Sequence, residues 1–67
     1  MTQLEAIQII AERDTLIGQL AWNALEVDDL DPFIQYIKDQ HQDGNGGSMA
    51  ITYGFEVIDA LIKEDEL

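Results

Sequence analysis

The chain of 67 residues contains no cysteine, and 46% of its residues are hydrophobic. The length allows one domain, the apolar content argues against disorder, and the lack of cysteine excludes a disulfide framework or a thiolate metal site. Fourteen Asp and Glu residues against three Lys and Arg residues give a formal net charge of −11, which repels nucleic acid and anionic membranes and attracts basic protein surfaces.

The first element is predicted to be one long helix over residues 2 to 28. Thr2 is a suitable N-cap, and Glu5 three positions later completes a capping box. At 100° per residue the apolar residues cover an arc of roughly 240°, whereas a helix lying on one neighbour needs an apolar stripe only a little over about 100° wide. Two different surfaces must therefore cover this helix.

A small domain without disulfides usually gains stability from a metal or a partner subunit. Since the rest of so short a chain can cover only one side of the long helix, we expect a second copy to cover the other side. The sequence thus predicts a homodimer that associates through helix one into a helical bundle. Arg13 and Asp14 project into the apolar arc, where they either extend to water at its edge or pair across that interface and fix its register. The full predicted interface is Ile9, Arg13, Asp14, Leu16, Ile17 and Leu20.

The second helix is predicted from Pro32 to Gln42, with Asp31 as its N-cap and Gly44 ending it. The inward side chains are expected to be Phe33, Ile34 and Ile37, with Tyr36 near the edge.

The third helix is predicted over residues 49 to 64, with Ser48 as its cap. Its expected apolar stripe includes Ala50, Ile51, Phe55, Val57, Ile58 and Leu61. Gly54 lies in that stripe, where the missing side chain would let another backbone approach closely. A strand over residues 49–58 is the competing interpretation because apolar residues also alternate there. The helix is preferred, since no other segment is suited to pair with such a strand. The expected class is an all-α, three-helix domain.

Catalysis is not expected. His41 is the one histidine and Ser48 the one serine, and no oxyanion donor array is evident beside them. The segment from Asp43 to Ser48 lacks the Lys-Ser/Thr ending of a phosphate loop. A calcium-binding loop counted from Asp39 would have Ala50 at its twelfth position, where the bidentate Glu belongs. We therefore expect no enzyme activity, no metal and no cofactor.

Two acidic clusters stand out. Glu26, Asp28, Asp29 and Asp31 fall within six residues at a helix junction, and Glu64, Asp65 and Glu66 form a second group near the end of the sequence. Such carboxylates either form a solvated surface or meet Lys and Arg on a partner protein. Trp22 and Tyr36 lie at the borders of apolar faces, so either can anchor a protein partner beside the first cluster, although core packing is the simpler role for both.

The sequence therefore predicts a cytoplasmic, non-enzymatic protein that binds the basic surface of another protein and inhibits or regulates it stoichiometrically. A nucleic-acid-handling protein is the first candidate, by analogy in size and charge with DNA-mimic inhibitors, with no motif in common. The predicted partner-binding residues are Trp22, Glu26, Asp28, Asp29, Asp31 and Tyr36. The alternative is an assembly module that docks through the wide apolar face of helix one, with the charge serving solubility alone. No direct contact with nucleic acid or membrane is expected.

Overall fold

The computed structural model describes residues 1–63, and five α-helices account for most of them. A kinked segment, His41–Asn45, joins the third helix to the fourth. The prediction of an all-helical protein is confirmed for these residues, and the strand considered for residues 49–58 does not form. The helices are α1 (Gln3–Ala11), α2 (Leu16–Glu26), α3 (Asp31–Gln40), α4 (Gly46–Tyr53) and α5 (Phe55–Ile62).

The capping box at the start of α1 forms as predicted. The Thr2 hydroxyl accepts a hydrogen bond from the Glu5 backbone N–H at 3.1 Å, and the Thr2 backbone N–H donates to the Glu5 carboxylate at 2.9 Å. Hydrogen bonds to the Glu5 carboxylate, first from the Thr2 backbone N–H and then from the Thr2 side chain, lower the pKa of Glu5 below its ordinary value. The negative charge of Glu5 therefore helps to hold the first turn of α1 together.

The prediction of one long helix over residues 2 to 28 is wrong. The helix ends after Ala11, and the chain turns back at residues 12–15 before α2 begins. Thr15 adopts an extended backbone, with φ −137° and ψ 166°, and its hydroxyl accepts from the Gly18 N–H at 2.9 Å. Because Thr15 acts as a new N-cap, a separate helix, α2, begins after the turn and packs against α1 as a helical hairpin.

Contacts with the end of α4 hold this turn in place. The Arg13 guanidinium donates to the Thr52 carbonyl at 2.7 Å and lies over the Tyr53 ring, 5.7 Å from its centre. The hydroxyl groups of Thr15 and Tyr53 are 2.5 Å apart. Three interactions between segments that are distant in sequence thus stabilise a turn that contains neither glycine nor proline.

The close approach between helices occurs at Gly18 rather than at Gly54. A Cβ atom on Gly18 would overlap the Arg13 carbonyl oxygen and lie 2.9 Å from that of Ile10. A Cβ on Gly54 would meet only Val57, at 3.7 Å. Gly18 therefore allows the end of α1 to lie directly on α2.

Helix α2 ends in a Schellman motif whose left-handed residue is Asp28, with φ 55°. The Asp28 N–H donates to the Leu25 carbonyl at 3.3 Å, and the Asp29 N–H donates to the Ala24 carbonyl at 3.2 Å. The short connection that follows leads into α3, where Leu30 rather than Asp31 is the N-cap. Asp31 instead lies in the first turn, where a negative charge suits the helix dipole.

The end of α3 and the core positions on it agree closely with the prediction. The helix ends at Gln40, and the backbone departs from helical geometry at Gly44, with φ 92°. Phe33, Ile34 and Ile37 are buried and Tyr36 is half-buried.

The predicted third helix is divided into α4 and α5. Gly54 has φ 111° and ψ 140°, a conformation that glycine adopts without strain, and the direction of the chain changes there. The change leaves Ile51 80% and Phe55 67% exposed, so both were wrongly assigned to the core face. Ser48 lies inside α4, which begins at Gly46, and is not its cap. The predicted end of this helix, at residue 64, falls outside the described residues.

One continuous core forms between the helices, and α5 lies against α1, α3 and α4. None of the helices in residues 1–63 combines the length and apolar character that crossing a bilayer requires. The largest fully buried side chains are Ile7, Ile10, Ile37 and Leu61.

Candidate protein-binding groove and acidic corner

A groove of about 340 Å³ lies between α2 and α3, and we call it the main groove. Most of the side chains along it are apolar, and Asp29 is the one charged residue that lines it. Val27 stands at its edge with 70% of its surface exposed, while Phe33 is buried at its base. The full lining is Leu20, Asn23, Ala24, Val27, Asp29, Pro32, Phe33 and Tyr36.

The α2 wall of this groove comes from a stripe of apolar residues on one face of the helix. At 100° per residue, Leu16, Leu20 and Val27 lie within about 40° of one another around the helix axis. Leu16 is 75% exposed, Leu20 is half-buried and Val27 is 70% exposed. This stripe lies about 180° from Gly18, the residue that contacts α1. Helix α2 is thus apolar on two opposite faces.

A second recess of about 390 Å³, the side groove, continues along this face. It lies between the start of α2 and helices α3 and α4, and Leu16, Met49 and Tyr53 are among its lining residues. Tyr36 lines both recesses, so they are adjacent at its side chain. We call the two adjacent recesses along α2 the trough.

The acidic corner, Glu26, Asp28, Asp29 and Asp31, stands at one end of the main groove. All four residues are exposed, as expected for charged groups on the surface. The Schellman turn places Asp28 and Asp29 immediately after α2, and Asp31 begins α3 beside Pro32 of the groove. The corner therefore adds negative charge to the rim of an apolar surface. The second predicted cluster, Glu64, Asp65 and Glu66, lies outside the described residues.

The two predicted aromatic anchors lie in different places. Tyr36 is in the trough, beside the acidic corner's Asp29. Trp22 is 52% exposed and lies on the other side of α2, in a shallow recess that it shares with Asp14 and Gly18. The structure therefore brings Tyr36, but not Trp22, together with the corner.

The residues predicted for a dimer interface are dispersed by the turn between α1 and α2. Ile9 is on α1 with 37% exposure, and Ile17 is half-buried on α2. Leu16 and Leu20 belong to the trough. Arg13 and Asp14 are exposed residues of the turn, and Arg13 is engaged with α4 of its own chain.

Sequence reasoning missed several residues of the groove. Val27 and Phe33 are not among the predicted partner-binding residues, and Phe33 is predicted only as an inward side chain of its helix. The signal that identifies the groove is the spacing of Leu16, Leu20 and Val27 on α2. It becomes visible once α1 and α2 are treated as separate helices.

The side chains considered for catalysis or metal binding lie on the surface of the described part of the chain. His41 and Ser48 are both exposed, and no three His, Asp or Glu residues of this part are grouped to hold a metal ion. Every buried side-chain nitrogen or oxygen described has a hydrogen-bond partner, so the trough offers no unpaired buried polar group that would orient a small ligand. No protein-family model matches the chain, and no curated protein or solved structure gives a significant match.

Proposed function

We propose that this protein is a non-enzymatic binding protein that docks on a basic surface of another protein and regulates or inhibits it stoichiometrically. The observation that carries the proposal is the position of the acidic corner at the end of the main groove, with Asp29 belonging to both. An apolar surface bordered by charge is the arrangement by which protein interfaces combine affinity with orientation.

The net charge of −11 supports electrostatic steering of a basic partner. Long-range attraction raises the association rate, and the apolar groove then slows dissociation by burying side chains of the partner. Binding should therefore weaken as salt is added, mainly through a slower association, because the Debye length falls from about 10 Å at 0.1 M to about 3 Å at 1 M.

A nucleic-acid-handling protein is the first candidate for the partner. A cleft that binds DNA presents Lys and Arg against about one phosphate charge per 1.7 Å of helix axis. The carboxylates of the acidic corner, on consecutive or nearly consecutive residues, offer closely spaced negative charge to such a cleft.

The alternative is an assembly module in which the apolar faces bind and the charge serves solubility. The large exposed side chains Leu16, Ile51 and Phe55 favour it. The homodimer predicted from the sequence would use the same face. If Leu16 and Leu20 were buried against a second copy, the trough would be covered and closed to a partner, so the two uses of this face exclude each other.

Matched charge variants test the proposal. Asp28→Asn, Asp29→Asn and Asp31→Asn together change the net charge from −11 to −8, since −11 + 3 = −8. The control triple, Glu12→Gln, Asp43→Asn and Glu56→Gln, makes the same change at exposed positions away from the corner. Immobilised proteins are used to capture partners from the source cells at low and high salt, and the affinity and association rate of the captured protein are then measured.

The proposal predicts a basic protein bound in a fixed ratio by the native chain and the control triple, and lost by the corner triple or at high salt. A partner retained equally by both triples and insensitive to salt would contradict it and favour the assembly module.

A further inference from the structure

The trough is long enough for one secondary-structure element, and its two ends differ in charge. From Leu16 to Val27, the C-cap residue of α2, the chain rises by about 17 Å along the helix axis, or three turns. Both residues are largely exposed although they are aliphatic. The main groove and the side groove lie on the two sides of Tyr36, and Leu20 and Leu16 contribute apolar side chains to the one and the other.

We infer that the trough binds a short amphipathic helix of the partner, about three turns long, with its apolar stripe toward α2 and Lys or Arg at the end next to the acidic corner. This inference rests on the proposed function and specifies the chemistry of the partner.

The absence of a sheet edge in residues 1–63 favours a helix over an extended peptide as the occupant. An extended segment would lay its N–H and C=O groups over apolar side chains with no strand to pair with, and unpaired polar groups at a dry interface are costly. A helix satisfies its own backbone hydrogen bonds and presents only side chains to the floor.

The two ends of the trough differ in charge, and this determines where the basic residues of the helix lie. Asp29 lines the end at the α2–α3 connection, with Asp28 and Asp31 adjacent in sequence. The other end is lined by neutral hydroxyl residues, among them Ser48 and Thr52. A helix with basic residues at one end is therefore complementary to the trough in one placement.

The test uses a synthetic peptide of about 14 residues with leucines at i, i+4, i+7 and i+11 and with lysines and arginines at one end. A scrambled peptide of identical composition is the control for charge. Affinities are measured by fluorescence anisotropy with the full chain and with Leu16→Glu and Val27→Glu. Phe55→Glu is the matched control, since Phe55 is 67% exposed, close to the 70% of Val27, and lines neither groove. Circular dichroism checks that each variant is folded.

We expect the amphipathic peptide to bind about tenfold more tightly than the scrambled one, and Leu16→Glu and Val27→Glu each to weaken it about tenfold, because each replaces a buried aliphatic contact with a charge. Phe55→Glu should stay within about twofold of the native chain.

Equal binding of the two peptides, or native affinity in both trough variants, would overturn the helix site. The proposed function would survive that result if the corner triple still lost a captured basic partner. A native dimer that Val27→Glu dissociates would assign the trough to a second copy and would also overturn the inference. Loss of the helix site and loss of the proposed function are thus separate results.

Discussion

The two apolar faces of α2 have different surroundings, since one is packed against the chain and the other is exposed. The face at Gly18 is closed by the end of α1, whose carbonyl groups approach so closely that no Cβ fits between them. The opposite face carries Leu16 and Val27, both about three-quarters exposed, above a trough that the described chain leaves open. The same helix therefore serves folding on one side and presents a binding surface on the other. Packing geometry, rather than hydrophobicity, distinguishes the two roles.

Gly18→Ala should have the largest effect, because it forces a methyl group into the closed face. The methyl group meets backbone oxygens that cannot move away, at a cost of about 3 kcal/mol. The higher helix propensity of alanine offsets about 1 kcal/mol of this cost, so the net loss in unfolding free energy is about 2 kcal/mol. Denaturant unfolding measures it.

Gly47→Ala is the control for this change, since Gly47 is also helical and a Cβ there meets nothing within 4 Å. It should raise the unfolding free energy by up to about 1 kcal/mol. Equal effects of the two alanines would show that α1 and α2 do not pack as closely as described.

Tyr53→Phe should have an intermediate effect, through the turn between α1 and α2. The change removes the hydrogen bond to Thr15 and keeps the ring beneath Arg13, so the unfolding free energy should fall by about 1 kcal/mol. Tyr36→Phe makes the same chemical change in the open trough and should alter stability by less than about 0.5 kcal/mol. A larger loss at Tyr36 than at Tyr53 would contradict the role of the Thr15–Tyr53 hydrogen bond in stabilising the turn.

Glu5→Gln should have the smallest effect, at the outer end of α1. The pKa of Glu5 is lowered in the folded protein, so its stabilising contribution is present above its ordinary value of 4.5 and is lost as the pH falls through the lowered value. The melting temperature of Glu5→Gln should lie slightly below that of the native chain at neutral pH and converge with it in acid. Glu12→Gln, at the C-cap of α1, is the control, and its melting temperature at neutral pH should not lie below that of the native chain, because a negative charge is unfavourable there.

Local signals in the sequence predicted the helix ends that depend on neighbouring residues. The Thr2 capping box forms, Gly44 follows the end of α3, and the inward residues of α3 are those expected. The turn at residues 12–15 could not be predicted in this way, because tertiary contacts of Arg13 and Thr15 stabilise it and no glycine or proline marks it. The broad apolar arc was read as a need for a second subunit, whereas the hairpin meets part of that need within one chain.

The candidate site was predicted in part for the same reason. The acidic corner and Tyr36 could be identified because charge and the edge of a helical stripe are visible in a linear sequence. The joining of Leu20 with Phe33 in one groove depends on how α2 packs against α3, and that follows from the direction in which α2 starts. Trp22 faces away from the groove because the stripe that matters lies on the other side of its helix.

Asp28, the left-handed residue that ends α2, is subject to two possible constraints, one from the backbone conformation and one from the charge of the surface. Natural variation at position 28 would distinguish them. Glycine or asparagine at position 28 would suit the backbone, with φ 55°, at least as well as Asp28 does. Requirements of chain geometry alone would let these three residues replace one another there. Selection for negative charge would retain only the acid, so exchange among them in related chains is a direct readout of whether the surface or the helix end is under constraint.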